Sequence, residues 1–258
     1  MRILCVSMQI QKLTMMRILY FFVPLFFILS CAPERPDGEA QINGDFGAAR
    51  ESKVYLEEIK VDRLHILDSA AIGKEGFFSF KFLPSETGFY RLNIRNHKPI
   101  LLTVSPNDKI NVAIDTIDKN LNYSVDGNLD SQILQAYHQK SNESRQTIDS
   151  LYAIVLASRP LAKFDSIKEE IDSTLIQLLN EHKAYTIKLI RNNPNRLASI
   201  LLINQSFAGR MLFDINKNTY LYVMIDQALM QQMPGNSHVK NHHARLEEFL
   251  QQTAEQEK

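Results

Sequence analysis

Phe77-Phe78-Ser79-Phe80-Lys81-Phe82 and, after a turn at Pro84–Gly88, Phe89-Tyr90-Arg91-Leu92-Asn93-Ile94-Arg95 decide the fold of the N-terminal part. Phe78, Phe80 and Phe82 fall on one side, Ser79 and Lys81 on the other. Tyr90, Leu92 and Ile94 then alternate with Arg91, Asn93 and Arg95. A two-residue period of this kind marks a strand with one face buried. Upstream, Gly73-Lys74-Glu75-Gly76 reads as a hairpin turn. Leu64–Ile72 and Val54–Val61 read as extended, the latter as the first long strand, with Gly44–Ser52 a polar connection before it. Downstream, Pro99–Val104 is followed by Ile110, Val112 and Ile114, and then by Leu121, Tyr123 and Val125, closing at Gly127. Short strands with one apolar face each predict an antiparallel β-sandwich or half-open barrel over residues 39–127. The gaps leave no room for the helical crossovers of a parallel sheet.

At Asn128 the period changes to three and four. Asn128 or Asp130 can cap a helix carrying Ile133, Leu134, Tyr137, Ile148 and Leu151, which Arg159-Pro160 breaks. Phe164, Ile167, Ile171, Leu175, Leu178, His182, Tyr185 and Leu189 form the clearest helical stripe in the chain, ending at Asn192–Asn195. Leu197–Phe207 reads as a short buried helix. Another starts at Asp214 or Asn216 and runs to Met233, and a last one follows Pro234-Gly235-Asn236-Ser237. Five helices joined by short links predict an antiparallel bundle beside the sandwich over residues 128–258. The fold class is therefore α+β, strands first and helices after.

The start of the chain speaks to location. Met15-Met16-Arg17 precedes an apolar run from Ile18 to Leu29, then Ser30-Cys31. A basic start, a short apolar core and a small residue describe an export signal over residues 1–30. The run is shorter than the roughly 20 apolar residues of a comfortable membrane crossing. The signal is complete from Met15, so translation starts at Met1, Met15 or Met16. Ile28-Leu29-Ser30-Cys31 resembles the lipobox of bacterial lipoproteins, which implies cleavage before Cys31 and acylation, palmitate included, on its thiol. The alternative is an unmodified thiol inside an uncleaved anchor. Residues 31–38 then form a polar tether.

The chain has 29 basic and 29 acidic residues among 258. Arg2, Lys12 and Arg17 go with the signal, leaving a net charge of −3. This argues against nucleic acid and against a polybasic grip on lipid. Only Cys5 and Cys31 are present, so the mature part has no pair for a disulfide or for C-x-x-C redox chemistry.

His238 and His242 lie four apart on a helix, a geometry usable by zinc, though an ordinary helix face is the simpler reading. His182 sits on an apolar stripe, where a hydrogen-bonded core histidine fits best. No G-x-S-x-G, S-x-x-K with K-T-G, or H-E-x-x-H is present. No catalytic residue, metal or cofactor is therefore expected, and no enzyme. Asp-Ser/Thr followed by an aliphatic residue or Thr recurs around Ser69, Thr116, Ser150, Ser166 and Ser173, where composition gives about one. The triplets resemble an O-glycosylation signal of Gram-negative envelope proteins. Local caps and turns explain them equally, and intact mass separates the two by added hexose.

Leu67-Asp68-Ser69-Ala70-Ala71-Ile72, Glu75-Gly76-Phe77-Phe78-Ser79-Phe80 and Gly88-Phe89-Tyr90-Arg91-Leu92 together resemble the N-terminal β-domain of TlpA/ResA-like envelope thiol–disulfide oxidoreductase lipoproteins. Asn193–Ala198 and Met233–Lys240 resemble helix junctions of that family's connector. The resemblance implies a thioredoxin domain with W-C-x-x-C beyond the helices, and none is present up to Lys258. The expected function is a non-catalytic, lipid-anchored binding or accessory module of the cell envelope, on the outer or inner membrane, with an envelope protein as partner. The alternative is the accessory part of a truncated or split thioredoxin-like oxidoreductase.

Overall fold

The computed structural model describes residues 36–47, 53–95, 97–115 and 122–256. Strands β1 (Ala40–Asp45), β4 (Phe77–Phe82), β7 (Lys109–Asp115) and β8 (Asn122–Asp126) form one sheet in the order β4-β1-β7-β8. Strands β2 (Lys53–Ile59), β3 (Leu64–Ala71), β5 (Gly88–Ile94) and β6 (Ile100–Val104) form the second, in the order β3-β2-β5-β6. Alternation turns Ile42, Phe80, Ile110 and Val112 of the first sheet toward Val54, Leu56, Leu92 and Ile94 of the second, all buried. Sandwich first and helices after, the architecture is the expected α+β arrangement.

Three local expectations are revised. Gly44 and Asp45, assigned above to a polar connection, are the last residues of β1, a central strand. The turn-like trio Asn43-Gly44-Asp45 concealed it. Glycine is required at 44 because the Phe78 ring lies across it: a Cβ there would come within 1.9 Å of Phe78 Cζ. Second, β1 pairs with β7 in parallel, Ile42 beside Ile110, in a sandwich whose other pairings among these eight strands are antiparallel. The crossover that a parallel pair needs is built here from strands. The chain leaves for the second sheet after β1, returns as β4, leaves again and comes back as β7. Third, Gly73–Gly76 does not close a hairpin within one sheet. It carries the chain from β3 in one sheet to β4 in the other, with Gly76 N–H donating to Gly73 O at 2.9 Å.

An open sheet edge presents unpaired backbone groups. Helix α1 (Leu129–Ser158) closes the flank where β6 and β8 lie. The chain enters it through Gly127 at φ +93°, where a Cβ would strike Lys109 O at 1.8 Å. Asn128 Oδ1 caps the helix by accepting from Ser131 N–H at 2.8 Å. Ser131 Oγ then accepts from Thr103 N–H and donates to Thr103 O, both at 2.9 Å. Gln135 Oε1 accepts from Val125 N–H of β8 at 2.9 Å. The first turns of one helix thus serve both edges. Ser131→Ala leaves a buried N–H and C=O of Thr103 unpaired and is expected to cost about 1–3 kcal/mol. A urea titration should show a lower midpoint with unchanged slope, whereas an unmoved midpoint would mean the hydroxyl is dispensable.

The remaining elements are α2 (Phe164–Asn192), α3 (Ala198–Ile203), a hairpin of β9 (Ser206–Phe207) and β10 (Arg210–Met211), α4 (Ile215–Gln232) and α5 (Ser237–Gln256). Their core includes Ile190, Leu202, Phe213, Leu221 and Val239, and takes in Leu134 from α1 and Phe89 from the outer face of the second sheet. The helix expected over Leu197–Phe207 stops at Ile203. Asn204 there donates its Nδ2 to Ile200 O at 2.8 Å, and Ala208 and Gly209 both take positive φ, +49° and +77°, as a tight hairpin turn demands. Asn236 ties the start of α5 to the sandwich. Its Oδ1 accepts from His238 N–H at 3.0 Å, and its Nδ2 donates to Thr87 O at 2.6 Å. Glu86 accepts from Ser237 N–H at 3.1 Å, placing a carboxylate at the helix N-terminus.

Candidate functional site

Among the described residues a cleft of about 420 Å³ opens between the β9–β10 hairpin and α5. Met211, Phe213 and Ile215 line it on the hairpin side. His242, Arg245, Leu246 and Phe249 line it from α5, a three- and four-residue spacing that keeps them on one helical face. Tyr222 of α4 joins the two walls, and Asn204, Glu248 and Gln252 reach the rim. The hairpin wall was hidden in the sequence by reading 197–207 as one helix, whereas Leu246 and Phe249 belong to the apolar pattern of the last helix.

His242 is buried, with Nε2 3.3 Å from Tyr222 O. Burial pushes its pKa below the ordinary histidine range, against the opposing pull of the Tyr222 carbonyl and Asp226. The neutral ring that donates from Nε2 to that carbonyl keeps Nδ1 as an acceptor. Burial raises the Tyr222 phenol, while Arg245 lowers it and Asp214 raises it, so its hydroxyl lies within the field of both. Arg245 is exposed and makes no ion pair among the described residues. Glu248, one turn on, instead accepts from Gln252 Nε2 at 3.3 Å. His243 pairs with Asp226, Nδ1 to Oδ2 3.0 Å.

His238 and His242 do not converge on a common point. The His238 ring packs on Phe89, centroids 4.6 Å apart, while His242 turns to Tyr222. Among the described residues no three His, Cys, Asp or Glu side chains group to hold a metal ion. His182 is wholly buried, stacked on Phe207 at 4.0 Å, with Nδ1 3.4 Å from Ser144 Oγ and Nε2 3.4 Å from Tyr137 Oη. Burial and the nearby Lys140 push its pKa down to about 4. It is a structural residue of the α1–α2 contact.

Ser69 lies on edge strand β3, its N–H bonded to Asp68 Oδ1 at 2.7 Å. Ser150 and Ser173 are exposed on α1 and α2, each hydroxyl donating to the carbonyl four residues back at 2.9 Å. Ser166 is exposed in the first turn of α2. Cys31, Thr116 and the whole export signal lie outside the described residues. Among the described residues no helix is long and apolar enough to cross a membrane.

No curated protein matches the chain. Residues 40–134 match the family model of a domain of unknown function, DUF4369. That segment begins with the first residue of β1 and ends at Leu134 in α1, so it spans both sheets and includes Ser131. The part of the chain that is similar to this family is therefore the sandwich together with the opening turns of the helix that seals its flank.

Proposed function

We propose that this chain is a non-catalytic, lipid-anchored protein of the bacterial cell envelope that serves as a binding or accessory module. The carrying observation is the run from Met15 to Cys31, which joins an export signal to a lipidation cysteine. One short acyl chain binds a bilayer reversibly, whereas two or more hold it firmly. Acylation at Cys31 therefore fixes the sandwich at a membrane surface through the 31–38 tether. The net charge of −3 agrees with attachment through acyl chains and not through basic residues.

Fractionation of cells expressing wild-type and Cys31→Ala protein tests this. Wild type is expected in the membrane pellet, released by detergent and labelled by radioactive palmitate. The variant is expected to be unlabelled and depleted from the detergent-extracted fraction. A variant that pellets and extracts like wild type would sink the anchor. The resemblance of Leu67–Ile72 and Gly88–Leu92 to the TlpA/ResA-like group supports a second reading, as the accessory region of a thiol–disulfide oxidoreductase. That reading requires a thioredoxin-fold protein with C-x-x-C among its crosslinked neighbours, and their consistent lack counts against it.

A further inference from the structure

We infer that the cleft between the β9–β10 hairpin and α5 binds a small organic carboxylate with a bulky apolar body, Arg245 taking the carboxylate and Met211, Phe213 and Phe249 the body. The inference rests on the binding-module reading and gives it a ligand class. Its size comes first: about 420 Å³ lies within the range of small-molecule sites, roughly 300–1,000 Å³. Its chemistry comes second. The hairpin side is apolar, with Met211, Phe213 and Ile215, and α5 sets Leu246 and Phe249 opposite it among the polar His242, Arg245, Glu248 and Gln252, so an apolar body leaves water on entering between Met211, Phe213 and Phe249.

Charge supplies the third argument. Arg245 is exposed at the cleft without an ion pair among the described residues, and Glu248, one turn on along α5, accepts a hydrogen bond from Gln252. A guanidinium offers a planar fork that fits a carboxylate with two parallel hydrogen bonds. The Tyr222 hydroxyl is a further donor beside it, bonded to no other group among the described residues. A cationic ligand would meet Arg245 instead, and Glu248 alone does not offset it. A neutral ligand would leave the guanidinium without an ionic partner. An acid with an apolar body satisfies both walls and the rim at once.

Two acids and their neutral counterparts test the inference on the exported chain: decanoate and decanamide, N-acetyl-phenylalanine and its amide. Titrations followed by calorimetry and by the histidine and tyrosine NMR signals should show at least one acid binding about tenfold or more tightly than its amide. That ratio corresponds to about 1.4 kcal/mol, the scale of one charge-assisted bond. Arg245→Gln should bring the acid down to its amide's level, and Arg245→Lys should restore part of the difference. Preference for decanoate identifies an aliphatic acid, and preference for N-acetyl-phenylalanine an amino-acid or peptide carboxylate. Acids that bind no better than their amides, an Arg245→Gln protein that binds as wild type, or no signal change at millimolar acid would each overturn it. None of these results touches the membrane fractionation of Cys31→Ala, so the two readings fail separately.

Discussion

Gly44→Ala is expected to lower the unfolding free energy by about 3 kcal/mol, near the upper end for an overpacked core. The added methyl group points into the sandwich, where the Phe78 ring from the neighbouring strand already lies, and would sit 1.9 Å from its Cζ. The ring cannot simply swing aside, because Phe78 is itself buried and packs on Phe80 with centroids 5.8 Å apart. Ring and methyl group cannot share the space, so the ring must turn out of the core or β1 must part from β4. For a chain of this size the loss corresponds to a melting temperature lower by roughly 6–12 °C. In a Phe78→Ala background the same methyl group enters the space the ring has vacated, and its added cost should fall below about 1 kcal/mol. The double-mutant cycle isolates this coupling. Equal costs in both backgrounds would show that the ring does not occupy the position over Gly44.

Acid should weaken the fold through His182. Its folded pKa is about 4, against an ordinary value of 6.5. Between those limits the unfolded chain holds a proton on this ring and the folded chain does not, so stability rises with pH across that window. Read downward, the contribution is complete above pH 6.5 and is lost as pH falls through 4. It amounts to about 3 kcal/mol, from roughly 1.4 kcal/mol per unit. Burial lowers His238 and His242 as well, adding in the same direction. Asp130 opposes them at the acidic end: burial raises its carboxyl, although Ala198 N–H and Arg196 hold it down. Urea titrations at pH 7.5, 6 and 5 should therefore show a falling midpoint. His182→Gln should be less stable than wild type at pH 7.5 yet flatter across the series. A variant with the same pH slope as wild type would remove His182 from the explanation.

Much of this arrangement was legible where burial obeys a simple period. Phe78 and Phe80, Tyr90, Leu92 and Ile94, and Ile110, Val112 and Ile114 face the sandwich core as their alternation requires. His182 was placed in a core by its helical stripe, and it is there. What escaped was governed by neighbours distant in sequence. Gly44 belongs in a strand only because Phe78 covers it, and that ring is supplied from another strand. Gly73–Gly76 has the composition of a hairpin turn, but the destination of the next strand is set by which sheet has room beside β1. The cleft escaped for the same reason. Its α5 face follows a helical stripe, whereas its opposite wall depends on a hairpin of two-residue strands too short to show any period.

The parallel pairing of Ile42 with Ile110 also orders events in time. A chain delivered from its N-terminal end presents β1 first, yet β1 lacks its second neighbour until β7 has emerged, and the flank beyond stays unpaired until Ser131 follows. Contacts so far apart along the chain slow folding, because the intervening loop must close before they reward it. The earliest segment to arrive is thus among the last to find its full set of neighbours, and the chain must travel most of the domain's length with that central strand still waiting.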